Sequence, residues 1–384
     1  MQTQSMGGGA FAALDLARLP SPCFVVDEVA LENNLKTLKV LSDASGADIL
    51  LALKAFSMWS LAPLVSQYLA GTCASGLHEA RLARSHYGGQ LTSFSPAYHP
   101  ASFDEVAALS DHVVFNSLDQ MARFEGAARQ NGAALGLRIN PEHSEGEVAK
   151  YDPCAAGSRL GQPVSQLADA SLEGLSGLHM HTLCEQGFAP LARTIEAVTP
   201  FLEAKRGQFS WLNLGGGHLV TRPDYDVDGL AACLRDLADR FQVKTYLELG
   251  TAVAFDAGIL VGEVLDVTDN EGPIAILDIS ASCHMPDVIE APYRPALLGE
   301  SDGVQVKLAG PTCLAGDEIG TYGFDAVPQA GTRVAFLDQA HYSMVKTNTF
   351  NGMALPAIAI WNSQTDALRV VRQFGYDDFE GRLS

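Results

Sequence analysis

From Asp48 onward, short apolar runs alternate with longer segments whose apolar residues recur at helical spacing. The runs read as strands at DILLALK (48–54), GTCAS (71–75), LTSFS (91–95), HVVFN (112–116), ALGLRIN (134–140), LSGLHMH (175–181), WLNLGGG (211–217) and KTYLELG (244–250). Between them lie amphipathic pieces such as LDQMARFEGAARQNG and LARTIEAVTPFLEAKRG, the second closing on Lys, Arg and Gly as helix C-termini prefer. Strand and helix alternating eight times predicts an α/β fold with a (β/α)8 barrel, with an open doubly wound sheet as the alternative.

After about Gly258 the pattern changes. ILVGEVLDVTD, PIAILDIS, GVQVKLAGP, TRVAFLDQ and IAIWN follow one another without long helical segments, which predicts a second, mainly β-sheet domain. The early run SPCFVVDE (21–28) also reads as a strand and is expected to pair with that domain. The division is therefore 28–258 for the barrel and 1–27 plus 259–384 for the sheet domain.

Composition narrows the class. The chain has 384 residues, 47% of them hydrophobic and only 18% charged, enough apolar surface for a large core. A formal charge of −20 disfavours nucleic acid and anionic membranes as partners and would draw in a cationic one. The seven cysteines stand singly with no C-x-x-C pair, and the N-terminus lacks a basic segment followed by an apolar core, so a reducing, cytoplasmic location is expected.

Chemistry in a (β/α)8 barrel collects at the C-terminal ends of the strands. Those ends carry Lys54, Ser75, Asn116, Arg138 with Asn140, His181, Gly215–Gly217 and Glu248. A lysine ending an apolar run usually just carries its ammonium out to solvent. A glycine triplet after a strand suits a plain βα turn as well as an anion cradle. His179 and His181 share one strand face, and two such histidines also suit a metal pair. That reading needs two or three further ligands on other strand ends; none are found, and no metal is expected. Together, a lysine, a phosphate cradle, a ring-flanking His181 and an acid in Glu248 to pair with a ring nitrogen meet the needs of pyridoxal 5'-phosphate.

The same residues lie in longer motifs: LLALKAFSMWS, SFSPAY, LRINPEHSE, YDPCAAGSRLG, GLHMHTLCEQ, WLNLGGGH, SCHMPDVIEAPYRP, GPTCLAGD and AHYSMVKTNTFNG. In these, from about Pro20 to Ile360, the chain resembles the carboxynorspermidine/carboxyspermidine decarboxylases, a branch of the alanine-racemase-like pyridoxal phosphate decarboxylases. The resemblance implies a homodimer with active sites at the subunit interface and a carboxylated polyamine as substrate. It implies that Lys54 is the Schiff-base lysine, His181 the ring-stacking histidine, Gly215, Gly216 and Gly217 the phosphate loop, and Glu248 the ring-nitrogen partner. Ser75 and Arg138 would lie near the cofactor and Tyr342 would reach its phosphate. Cys313 would protonate the substrate carbanion from the partner subunit.

Several charges on a long flexible substrate call for spaced acids, for which Glu185, Asp287, Glu290 and Asp317 are the candidates; Asp317 also suits a structural role. The sequence departs from the family's Glu-Pro-Gly-Glu, reading Glu248-Leu249-Gly250-Thr251, which bears on substrate preference. The competing readings are an ornithine- or diaminopimelate-type decarboxylase, a racemase, a metal-dependent barrel hydrolase and a non-catalytic homologue.

Overall fold

The computed structural model describes residues 5–146 and 149–384. They form two compact units, residues 34–253 and residues 1–33 with 254–384. Both divisions run through helices, Glu28–Ser45 and Thr251–Ala254, rather than at 28 and 258 where the sequence pattern changes.

The first strand, β1 (Cys23–Asp27), belongs to the second of these units and is described with it. The barrel unit contains β2 (Asp48–Ala52), β3 (Gly71–Ala74), β4 (Gln90–Phe94), β5 (His112–Phe115), β6 (Ala134–Asn140), a two-residue β7 (Gln162–Pro163), β8 (Gly177–His179), β9 (Trp211–Asn213) and β10 (Lys244–Leu249). All pairings are parallel, in the order β5-β4-β3-β2-β10-β9-β8-β6, and β5 pairs with β6 to close eight strands into a barrel. That closure removes the open doubly wound alternative.

Helices Leu118–Gln130 and Phe188–Ala204 occupy the two amphipathic segments. The first is capped by Ser117, whose hydroxyl accepts from the Gln120 N–H. The second ends at Lys205, two residues before Gly207 turns left-handed.

The barrel floor is a packed plug. Trp211 stacks on His112 with ring centroids 4.5 Å apart and lies against Leu50, Val114 and Tyr246. Its indole fills the space beside β6 and β8, where a Cβ on Gly136 or Gly177 would come within 2.3 or 1.9 Å of the ring. Side chains alternate along a strand, so residues two positions beyond this layer point inward again, one step nearer the C-terminal rim.

The sheet unit orders its strands β14-β13-β12-β11-β1-β16-β17, with β15 also paired to β11. These are β11 (Gly258–Asp269), β12 (Pro273–Leu277), β13 (Val304–Ala309), β14 (Glu318–Phe324), β15 (Arg333–Leu337), β16 (Ala357–Asn362) and β17 (Ala367–Arg372). As expected, β1 joins this sheet, antiparallel to β11 and parallel to β16. It is buried on both faces: Phe24 enters the cluster with Leu260, Tyr322 and Phe336, while Cys23 and Val25 enter the one with Ile259 and Trp361. This explains its unbroken apolar run. Two strands escape the sequence pattern. Gly320 and Gly323 interrupt β14, and β17 is an edge strand with mostly exposed or half-exposed positions.

Candidate active site

One inward step above the Trp211 plug, the barrel carries polar groups. In register across the strands stand Arg138 on β6, His179 on β8 and Asn213 on β9, with Glu248 on β10 beside them. The buried Glu248 carboxylate accepts from Asn213 Nδ2 at 2.8 Å and pairs with His179 Nε2 at 3.2 Å. Burial opposes its ionisation, but the His179 and Asn213 contacts and the nearby Lys54 charge outweigh this and hold its pKa well below the usual carboxylate range. Burial pushes the His179 imidazole below its ordinary pKa against the pull of Glu248, to which its Nε2 hydrogen-bonds. Among the described residues the anion is held by His179 and Asn213 and has no guanidinium or ammonium in direct contact.

Arg138 is buried with its guanidinium 4.6 Å from the Phe94 ring centroid, and its Nη2 donates to the His181 carbonyl at 3.3 Å. Burial lowers its pKa to about 10, which leaves it charged at neutral pH. The other face of this layer is apolar: Phe94 stacks on His179 at 5.6 Å.

Lys54 lies in the turn after β2. Leu53, Ala55 and Phe56 are buried and the turn closes on Ala52 O, so the backbone is anchored while the lysine side chain is exposed. Its ammonium lies near enough to act electrostatically on Cys73, His179, His181 and Glu248.

At the rim, Gly216 N–H donates to His181 Nδ1 at 2.9 Å, so a neutral His181 carries its proton on Nε2. Burial and the cations Lys54 and Arg138 hold that ring neutral. The glycine triplet is wedged between strand ends. A Cβ on Gly216 would lie 2.1 Å from Glu248 O, and one on Gly217, at φ +85°, 2.1 Å from Leu183 O. Sterics therefore demand glycine here whatever the loop binds.

Ser75 sits just past β3, where its N–H donates to Glu79 at 2.6 Å. Glu185, in a left-handed conformation, accepts from Thr251 Oγ1 at 3.3 Å, so the threonine that departs from the family pattern holds a neighbouring acid. Asn213, Phe94 and Cys73 were not singled out from sequence. Asn213 had a usable signal, lying two residues beyond Trp211 and two before Gly215.

In the sheet unit, Cys313 is exposed and its Sγ donates to Asn351 Oδ1 at 2.7 Å. Tyr342 adopts φ +47° ahead of helix Ser343–Lys346. Asp287 and Glu290 come together on Lys346, at 2.5 and 2.8 Å. Asp317 does not fit a substrate-binding role. It is 2% exposed, and its carboxylate accepts from Ser280 Oγ, Ser282 N, Thr312 N and Thr312 Oγ1. Four donors saturate its lone pairs. It ties the 280–282 segment to the loop that carries Cys313.

Residues 23–340 match the family described as pyridoxal-dependent decarboxylase, C-terminal sheet domain. The chain belongs to this family. A carboxyaminopropylagmatine decarboxylase of Synechocystis sp. is 38% identical, over 96% of each chain. The carboxynorspermidine/carboxyspermidine decarboxylase of Campylobacter jejuni is also 38% identical, over 95% of this chain and 99% of its own. The crystal structure of carboxynorspermidine decarboxylase from C. jejuni, complexed with norspermidine, superposes with a TM-score of 0.87 at 35% identity over 95% of this chain and all of that one.

For a pyridoxal-dependent decarboxylase the barrel residues fit their cofactor. A Cβ would fill the glycine cradle, the ionised Glu248 suits a cationic ring nitrogen, and the Lys54 side chain is exposed. Among the described residues, no group of three His, Cys, Asp or Glu converges as a metal site.

Proposed function

We propose that this chain is a pyridoxal 5'-phosphate-dependent decarboxylase that releases CO2 from carboxynorspermidine or carboxyspermidine, working as a homodimer in a reducing compartment. The observation that carries the reading is the buried Glu248 carboxylate, kept ionised by its contacts with His179 and Asn213. An anion held this way is matched by a cation arriving with the cofactor.

Bound pyridoxal phosphate supplies the electron sink that lets an α-carboxylate depart. The chain's own residues do the rest. Lys54 would hold the cofactor through its amine. Glu248 retains the proton on the ring nitrogen. His181, fixed by the Gly216 N–H as a neutral ring, flanks the cofactor without adding charge. Gly215–Gly217 would cradle the phosphate, with Arg138 and Ser75 nearby. Cys313 of the second subunit delivers its Sγ proton to the substrate Cα once CO2 has left. Its exposure and its bond to the Asn351 side chain support that role.

The distal ammonium groups of the substrate would meet Glu185 and the Asp287–Glu290 pair. With Lys346 that pair keeps a net negative charge, and the overall charge of −20 favours a cationic substrate. The equal identity to the Synechocystis enzyme supports a second reading, in which carboxyaminopropylagmatine is the substrate and its distal cation is a guanidinium.

The test is to record the absorbance of the purified protein with cofactor and to assay CO2 release from these three substrates, ornithine and diaminopimelate in parallel. A near-visible absorbance band that is lost in Lys54→Ala, with turnover of the carboxylated polyamines, is expected. A protein that neither binds the cofactor nor turns over any of the five overturns the proposal.

A further inference from the structure

Asn213 lies on β9 one inward step above Trp211 and is 1% exposed. Its side-chain amide faces two partners that belong to different parts of the site. Oδ1 accepts from Gly215 N–H at 2.9 Å, and Nδ2 donates to Glu248 Oε1 at 2.8 Å. The orientation of the amide follows from its partners, because a backbone N–H can only donate and must meet the oxygen. The NH2 end is then left for an oxygen that accepts. The glycine loop is joined to the same strand again through Glu248 N–H, which donates to Gly215 O at 2.7 Å.

We propose that Asn213 is a positioning residue that links the glycine loop to Glu248, so that one side-chain amide registers the phosphate end and the ring-nitrogen end of the bound cofactor. The inference rests on the cofactor reading above and concerns a residue that touches neither end itself. Its two bonds can be removed separately. Asn213→Asp keeps an oxygen to accept from Gly215 N–H but replaces the donor to Glu248 with a second anion, which makes ionisation of the pair harder. Asn213→Ala removes both bonds.

The test is to measure, by fluorescence quenching, the affinity of the wild type and each variant for pyridoxal phosphate and for pyridoxal, which lacks the phosphate. The ratio of the two affinities reports the loop, and the affinity for pyridoxal reports the ring end. Asn213→Asp is expected to weaken both ligands by about tenfold or more while changing their ratio less than about threefold. Asn213→Ala is expected to weaken both ligands and also to lower the ratio by about tenfold.

If Asn213→Asp does not fold, Asn213→Ser replaces it, since a serine hydroxyl can still accept from Gly215 N–H but is too short to reach Glu248. A wild type that does not bind pyridoxal phosphate overturns the cofactor reading and this inference with it. A wild type that binds, with variants that bind both ligands as tightly as it does, or with an Asn213→Ala that leaves the ratio of the two affinities unchanged, overturns the inference alone.

Discussion

Gly216→Ala is the sharpest test of how the barrel rim is built. Gly216 is not left-handed, so the cost of a side chain there comes from proximity rather than backbone strain. The new Cβ would lie 2.1 Å from the Glu248 carbonyl oxygen, against 3.4–4 Å for an ordinary contact, so the loop must move by more than about 1 Å. It has nowhere to go. Any Cβ at Gly215 would be 2.5 Å from Met180 O, and one at Gly217 2.1 Å from Leu183 O. A shift of that size breaks the bonds from Glu248 N–H to Gly215 O and from Gly216 N–H to His181 Nδ1, worth about 1 kcal/mol each. Overpacking adds about 1–3 kcal/mol, so the expected destabilisation is about 3–5 kcal/mol. Urea denaturation of the cofactor-free protein reads this directly. Fluorescence titration with pyridoxal phosphate should show affinity lower by about tenfold or more. Gly126→Ala is the control: it lies mid-helix with open space around it and should stabilise by about 0.5–1 kcal/mol. If Gly216→Ala unfolds at the wild-type urea concentration and binds the cofactor as tightly, the close-approach argument is wrong.

Cys313→Ala should change stability by less than about 0.5 kcal/mol and leave cofactor affinity intact, because the residue is exposed. Product should form more slowly or with misplaced protonation, and normal turnover to normal product would remove the role given to this thiol. Asp317→Ala leaves Ser280, Ser282 and Thr312 donors without their acceptor in a buried site and should cost about 3 kcal/mol or more in denaturation, with substrate KM unchanged. A raised KM with stability intact would return Asp317 to the substrate-binding acids. Stability should also fall in acid. Burial pushes His218 and His284 from 6.5 down to about 4 in the folded protein, whereas the unfolded chain protonates them near 6.5. Unfolding therefore takes up protons between those values, so this stabilisation is complete above about pH 6.5 and is lost as pH falls to about 4, at about 3 kcal/mol per histidine. Urea midpoints at pH 7.5 and 4.5 measure it, and His218→Gln should show a smaller loss than wild type.

How much of this was legible in the chain follows from the range of the interactions involved. Strand identity depends on neighbours within a few residues, so the eight barrel strands and the pairing of the CFVV run with the sheet domain were readable from apolar pattern. The two-residue alternation that separates inward from outward side chains is equally local, and with the strand ends it was enough to collect Lys54, Arg138, His181, Gly215–Gly217 and Glu248 at one rim. Contacts between distant positions were not readable. Glu248 meets His179 across 69 residues and Asn213 across 35, and only parallel register across adjacent strands sets those distances. The same limit explains the acids. Sequence alone can count carboxylates, but whether one faces a ligand, a lysine or four internal donors depends on which segments fold against it. Tertiary structure placed Asp287 and Glu290 on Lys346, and it closed Asp317 inside the loop that carries Cys313, where burial makes an unpaired carboxylate too costly to leave without partners.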